Sequence, residues 1–242
     1  MEEQNEARMM EAIEKALEHQ QSGDHEAAAR CFLQAAEYAP SDHRLPDEAG
    51  NLYLYALGRP LDAIPCYERA LGLVEDPPRI GLKLGLAHSL AGNDRAALDT
   101  LADVGRADPT NPMVHLELGK HHLGQGRAQD AVEYFDTAIA HYTMTNTFGG
   151  ALGGPTHPPQ VLALALMGKA RACMLHLGRE SDGLGALSTL LDDLHDTGRG
   201  LKLAGELQAA GKNESAGKVI AAVLVRTPDD ADALALQASL GA

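Results

Sequence analysis

PMVHLELGKHHLGQGRAQDAVEYFDTAIAHYTMT, residues 112–145, contains two helix-type segments separated by a glycine. Leu118 and Gly119 lie in the first segment, and Gly126 interrupts the chain. In the second segment, small and aromatic residues follow the i, i+4, i+7 spacing of one helix face: Ala131, Phe135 and Ala138. The stretch therefore predicts a pair of helices joined by a tight turn.

The glycine break recurs along the whole chain. Successive breaks are 35, 34, 34, 52 and 33 residues apart. A period of about 34 residues is typical of a helical hairpin that cannot bury its apolar face alone and stacks on its neighbours. The six breaks are Gly23, Gly58, Gly92, Gly126, Gly178 and Gly211.

The repeated unit resembles the tetratricopeptide repeat (TPR) family. The resemblance rests on Leu-Gly in the first helix, on Gly-Asp or Gly-Arg at the turn, and on a closing Pro. In the second helix it rests on an Ala, then an aromatic residue or Leu, and then a second Ala. It implies an all-α fold, a right-handed α-solenoid of about six helix-turn-helix repeats. Repeat two lacks the small residue at the expected position. Repeat five has Gly183 where the family usually has Ala, and Leu190 where the family usually has a small residue. We place the repeats at 9–42, 44–77, 78–111, 112–145, roughly 164–197, and 197–230.

The segment Ala231 to Leu240 predicts a first helix without its second. Terminal repeats usually need a cap. We expect a capping helix whose residues Ala233, Leu234, Leu236 and Leu240 pack on repeat six; the alternative is a self-association surface.

One segment interrupts the period. Residues 143–159 are rich in Gly and Pro, which cannot continue a helix. Gly149 and Gly154 have the spacing of a phosphate-binding loop, but Pro155 stands where that motif needs Lys. We expect a four-repeat block at 1–145, a loop at 146–159, and a block at 160–242 with two repeats and the cap. The loop is either a joint between the blocks or a lid that uses Met144, Phe148 and Leu152.

The composition argues against several partners. The formal charge is −14, and no Lys/Arg stripe interleaved with aromatic residues offsets it, so we expect no nucleic acid partner. No stretch approaches the ~20 apolar residues needed to span a bilayer, and residues 1–20 lack a signal-peptide core. We therefore expect a cytoplasmic location. The acidity has two explanations, solubility or steering of a basic partner.

Packing explains the cysteines and histidines. Cys31 and Cys66 occupy equivalent places in consecutive second helices, which favours a packing role. His19, His88 and His122 share the eleventh position of their repeats, where the resemblance implies a Tyr packed between helices. No ligand set or cofactor fingerprint accompanies them. We predict no metal, no cofactor and no enzymatic activity; an enzyme would need the inserted loop, with His157, to complete a site.

The TPR resemblance implies a concave groove built from first-helix positions two, five, nine, twelve and thirteen. Leu and Met dominate these positions, which favours a protein or peptide partner with an apolar or amphipathic segment. The alternative is that neighbouring helices or the protein's own N-terminal segment cover part of this row. The predicted partner-binding residues are Met10, Ile13, Leu17, Leu52, Tyr55, Arg79, Leu82, Lys83, Leu86, Leu90, Met113, Leu116, Lys120 and Leu123.

The sequence thus favours a non-catalytic adaptor or chaperone, and small TPR chaperones of bacterial secretion systems are the nearest analogy. The main alternative is a scaffold that self-assembles through its ends into a homo-oligomer. A third hypothesis is capture of a carboxylate tail, because Arg79 and Lys83 match two basic positions of the clamp in heat-shock co-chaperones. Ile13 and Leu17 replace the Lys and Asn of that clamp in repeat one.

Overall fold

A computed structural model of the protein describes residues 2–74, 78–146 and 157–240. Over these ranges the regular structure is entirely helical, as the sequence predicts. None of the helices described is long and apolar enough to cross a membrane. The choice between a joint and a lid depends on residues 147–156, which lie outside the described residues.

The chain divides into two compact units, an N-terminal unit (Met1–Pro109) and a C-terminal unit (Thr110–Ala242). The N-terminal unit holds three hairpins, formed by α1 (Glu2–Ser22), α2 (His25–Tyr38), α3 (Arg44–Asn51), α4 (Pro60–Leu71), α5 (Pro78–Leu90) and α6 (Asp94–Ala107). The C-terminal unit holds three hairpins and the predicted cap, formed by α7 (Pro112–Gly124), α8 (Ala128–Met144), α9 (Pro159–Arg171), α10 (Glu180–Leu194), α11 (Thr197–Ala209), α12 (Asn213–Arg226) and α13 (Ala231–Leu240).

Each hairpin turns at one of the six glycines. All six have a positive φ, between +62° and +82°, a region that costs other residues strain. In repeat three the N–H after the glycine, from Asn93, donates to the carbonyl of His88 five residues earlier, at 2.9 Å. This bond satisfies a carbonyl that the helix end leaves without a partner. The glycine period therefore sets where the helices end.

Repeats two and five depart from this geometry by one residue. Their first helices end in a π-helical turn, at Leu52–Ala56 after α3 and Ala172–Leu177 after α9. In both, the N–H after the glycine reaches back six residues: Arg59 to Tyr53 at 2.7 Å, and Arg179 to Cys173 at 2.9 Å. A π turn accommodates one extra residue without ending the helix. These are the two repeats whose motif fits less well.

Small residues on first helices receive large side chains from second helices. Phe135 on α8 is fully buried and lies between two glycines. A Cβ at Gly119 would stand 2.7 Å from its ring, and a Cβ at Gly168 on α9 would stand 2.4 Å from it. In repeat two, Gly50 receives Tyr67 in the same way. The small residue is therefore present in repeat two, one position before the expected register.

The segments flanking the insertion are tied together within the C-terminal unit. Helices α8 and α9 pack against each other. The side chain of Asn146 donates to the carbonyl of His157 at 2.7 Å and accepts its N–H at 2.9 Å. Helix α9 begins at Pro159, five residues before the expected start of repeat five. A joint at 146–159 stays a hypothesis.

Helix α13 confirms the predicted cap in outline. Ala233 is fully buried, and Leu236 and Leu240 are partly buried against the core of the C-terminal unit. The prediction was wrong for Leu234, which is exposed. Its side chain leaves the buried side of the helix because it is one residue, about 100° of helical turn, beyond Ala233.

Candidate functional site

Exposed apolar side chains are arranged in rows on the first helices of the hairpins. Ten large apolar side chains are exposed in the described part of the chain, and five of them lie on first helices. Of the other five, Leu61, Met144 and Val225 lie on second helices, Leu73 lies just after α4, and Leu234 lies on α13. Scattered exposed residues of this kind are normal. The five on first helices are Met10, Leu17, Tyr55, Leu90 and Leu164.

Four of these side chains are predicted groove residues of the N-terminal unit. Tyr55 and Leu90 are each 61% exposed. The remaining predicted apolar residues of the unit are half-buried, with one exception. Leu52 is buried between α2 and α4, so its prediction as a solvent-facing residue was wrong. The half-buried residues are Ile13, Leu82 and Leu86.

The two predicted clamp cations meet an acidic residue of their own chain. Lys83 on α5 donates to the carboxylate of Asp47 on α3 at 2.7 Å, and both side chains are largely buried. Arg79 is exposed and lies 4.0 Å from the same carboxylate. The Lys83 ammonium also lies 5.8 Å from the centre of the Tyr67 ring, within cation–π range. Lys83 is thus held between two repeats, and Arg79 is the accessible cation of the pair.

The outer face of α1 differs from the equivalent face of α5. Ile80 and Leu84 of α5 are buried against repeat two. Sixty-nine residues earlier, α1 has Glu11 and Lys15 at these positions, and both are exposed and paired at 2.7 Å. Because this face is charged, it is not built to accept another hairpin.

A concave site in the C-terminal unit lies between α7 and α9. It has a volume of about 390 Å³. Its apolar lining comes from Leu123 on α7 and from Leu164 and Met167 on α9. Basic side chains stand around it: Lys120, Arg171 and His176. A site of this size with a few polar groups around apolar walls fits part of a peptide.

Two ion pairs shape the rim of this site. Lys120 donates to both oxygens of the buried Glu117, at 2.8 and 3.0 Å. Arg171 lies 2.8 Å from Glu206 on α11. Both cations keep more than 40% of their side chains exposed, so each can contact a bound segment while it stays paired. The rim is therefore nearly charge-balanced.

The sequence anticipated this site only in part. Lys120 and Leu123 line it, and Met113 is half-buried nearby on α7. Leu116 was wrongly predicted to face solvent: it packs against Phe135, Val161 and Ala165 in the core. The sequence analysis missed the lining residues of repeat five because it placed the start of that repeat at 164. Pro159 was the available signal, since Pro favours the first turn of a helix.

Two histidines of α7 pack against aromatic or imidazole rings of α8. Among the described residues, no group of three His, Cys, Asp or Glu side chains could hold a metal ion. His122 is buried, its ring lies 4.9 Å from that of Tyr134, and its Nδ1 is 3.5 Å from Asp130. Burial lowers the pKa of His122; nearby Arg127 also lowers it, and Asp130 opposes both effects. His115 stacks on His141 at 5.1 Å.

The cysteines are packing residues in this structure. Cys66 is buried in the core that α1 to α4 share, and Cys31 is half-buried against the same core. Burial raises the pKa of the Cys66 thiol to about 11. A thiol of this kind is mostly protonated and is a poor nucleophile.

Comparisons with known proteins agree with the hairpin geometry. Family models described as Tetratricopeptide repeat match residues 13–42, 52–112 and 82–145. A sequence search of curated proteins finds no match.

Solved structures similar to this chain share its fold at low sequence identity. They include the Cut9–Hcn1 hetero-tetramer of APC/C (17% identity, TM-score 0.63), covering 95% of this chain and 42% of that one. The chain thus spans less than half of that relative. MamA has 16% identity and a TM-score of 0.59, with coverage of 79% and 94%. PilF of Pseudomonas aeruginosa has 16% identity and a TM-score of 0.59, with coverage of 97% and 99%. From its helical hairpins, its glycine turns and the family models that match it, the chain belongs to the tetratricopeptide repeat family.

Proposed function

We propose that this protein is a non-catalytic adaptor or chaperone that holds an apolar or amphipathic segment of a partner protein on its first helices. The TPR fold is in general a protein–protein interaction module. The observation that carries the proposal is the placement of exposed Met10, Leu17, Tyr55, Leu90 and Leu164 on first helices. Apolar surface of this kind gains free energy when a partner removes it from water.

The concave site between α7 and α9 supports the same proposal. Met167 offers a flexible side chain that adapts to different ligands, and Leu164 is 40% exposed beside it. The rim cations Lys120 and Arg171 are already paired, so a partner must contribute apolar contacts as well as charge. Capture of a carboxylate tail has less support, because Asp47 already occupies Lys83. A cytoplasmic location stays part of the proposal.

Paired substitutions test the proposal. Leu90→Glu with Leu164→Glu places charge on two first helices, whereas Leu61→Glu with Val225→Glu makes the same change at exposed sites on second helices. Binding of immobilised amphipathic peptides should weaken by about tenfold or more in the first variant and little in the second. Equal losses in both variants, or no binding by the wild type, would refute the proposal.

A self-assembling scaffold is the second candidate. Val225 on α12 is 78% exposed, and Leu234 on α13 is also exposed, so both side chains are accessible to a second copy of the chain. Sedimentation at increasing concentration tests this alternative. Oligomers that disappear in Val225→Glu with Leu234→Glu would support it, and a monomer at every concentration would exclude it.

A further inference from the structure

One face of α1 combines exposed apolar side chains with carboxylates. We name the residues Glu6, Met10, Ile13, Glu14 and Leu17 the α1 stripe. Met10, Ile13 and Leu17 follow the i, i+3, i+7 spacing of one helix face, and Glu6 and Glu14 lie one turn on either side of Met10. Met10 is 59% exposed and Leu17 is 48% exposed, whereas Ile13 packs partly on the core.

The carboxylates of the stripe are exposed and form no ion pair with the basic side chains that the structure describes. In the described part of the chain, neither Glu6 nor Glu14 lies in an ion pair with a basic side chain. The two basic residues nearest in sequence are engaged elsewhere. Arg8 lies over the ring of Tyr38 on α2, 5.9 Å from its centre, and Lys15 binds Glu11. The stripe is therefore apolar and acidic, and no cation of the described residues forms an ion pair with its carboxylates.

This arrangement matches one side of a pair of packed helices. In two-helix packing, apolar residues at i, i+3 and i+7 form the seam, and charged residues beside the seam select the partner. Glu14 directly follows Ile13 and so occupies such a flanking position. A partner helix with an apolar seam and Lys or Arg beside it would cover Met10 and Leu17 and neutralise Glu14.

We propose that the α1 stripe binds a basic amphipathic helix of a partner protein. This inference rests on the proposed function and specifies the chemistry of one partner segment. A second copy of this chain is a poor occupant, because two α1 stripes would bring Glu6 and Glu14 against like charges. Another hairpin repeat is also a poor occupant, because Glu11 and Lys15 interrupt the face that stacking requires.

The test uses synthetic helical peptides with the full-length protein. The probe is a fluorescent Leu–Lys peptide with an i, i+3, i+4, i+7 Leu pattern, and its counterpart has Glu in place of every Lys. Binding is measured by fluorescence anisotropy at low and high salt. The stripe variant is Glu6→Lys with Glu14→Lys. Its matched control is Glu68→Lys with Glu133→Lys, which makes the same charge change at exposed sites on α4 and α8. Circular dichroism verifies that both variants fold.

The proposal expects the wild type to bind the Leu–Lys peptide in preference to the Leu–Glu peptide. Affinity should fall about tenfold or more in the stripe variant and with added salt, and little in the control. Equal loss in the stripe variant and the control would mean that only net charge matters, which would overturn the proposal. Equal affinity for both peptides, or no binding of the Leu–Lys peptide, would also overturn it.

Failure of this inference can be distinguished from failure of the proposed function. If Leu90→Glu with Leu164→Glu abolishes binding of the Leu–Lys peptide and the stripe variant does not, the proposed function stands and the α1 site is refuted. If the stripe instead mediates self-association, sedimentation will show oligomers that Met10→Gln with Leu17→Gln dissociates, and that result also refutes the proposal.

Discussion

Replacing Gly119 with Ala should destabilise this protein, although the same change usually stabilises a helix. Ala is favoured over Gly in a helix interior by about 1 kcal/mol. A Cβ at Gly119, however, would stand 2.7 Å from the ring of Phe135, whereas carbon atoms prefer roughly 3.5–4.0 Å. The ring is also confined by Gly168, because a Cβ placed there would stand only 2.4 Å from the ring.

The expected magnitude follows from these opposing effects. Overpacking a core costs about 1–3 kcal/mol, so the net loss for Gly119→Ala should be up to about 2 kcal/mol after the gain in helix propensity. Gly185→Ala on α10 is the matched control, because it lies inside a helix and a Cβ there meets nothing within 4 Å. That variant should gain up to about 1 kcal/mol.

Urea unfolding followed by circular dichroism measures both changes. A difference of about 2 kcal/mol should separate the two midpoints by roughly 1 M urea. The double variant Gly119→Ala with Phe135→Leu should lose less stability than the sum of the losses in the two single variants, since the smaller side chain leaves room for the new methyl group. Stabilisation by Gly119→Ala, or strictly additive effects with Phe135→Leu, would refute the close contact between the two residues.

Three further predictions concern charged and titratable groups. Asp47→Asn should lower the free energy of unfolding by about 2–4 kcal/mol, because it leaves the Lys83 ammonium without its carboxylate partner. The double variant Asp47→Leu with Lys83→Met should recover most of this loss, as measured by urea unfolding. If the double variant is destabilised as much as Asp47→Asn, the two residues do not form a buried pair. The lowered pKa of His122 means that the unfolded state binds a proton more readily, so stability should fall as the pH drops through about 6.5. His122→Gln should therefore reduce the shift in midpoint between about pH 8 and about pH 5, and an unchanged shift would contradict this. Iodoacetamide should alkylate Cys66 slowly in the native protein and rapidly in denaturant, as measured by mass spectrometry, because its pKa is raised to about 11.

The glycine period predicted most of the fold because it marks a backbone requirement. A positive φ at each turn excludes most other residues, so the sequence itself records the helix ends. The same signal contained the departure in repeat two. Gly23 and Gly58 are 35 residues apart, one more than in repeats three and four, and the extra residue is accommodated by the π turn Leu52–Ala56. Gly50 takes the place of the missing small residue because it precedes that turn.

The exposure of individual groove residues could not be predicted equally well. Helical spacing places Leu52 and Leu116 on the same side as exposed residues, but their exposure depends on how far neighbouring helices extend over them. Helix α9 covers Leu116, and the sequence analysis began that helix five residues too late. The position of a residue in its repeat predicts the side of the helix on which its side chain lies. Whether that side chain is buried depends on how far the helices of the next repeat extend over it.

Ion pairs between repeats have a signal in the sequence. Lys83 and Asp47 are 36 residues apart, and Arg226 and Asp192 are 34 apart. Both separations are close to one period, because equivalent positions of adjacent hairpins lie next to each other. Opposite charges separated by one period are therefore candidates for pairing. This rule would have indicated that Lys83 is already occupied.

The acidity of the chain is distributed unevenly between its two units. Steering of a basic partner depends on such a local concentration of charge. The N-terminal unit contains 20 acidic and 10 basic residues, whereas the C-terminal unit contains 14 and 10. Glu6 and Glu14 lie beside exposed Met10 and Leu17, and neither forms an ion pair among the described residues of this unit. Because a local field raises the association rate of an oppositely charged partner, this distribution favours a basic segment that docks on α1.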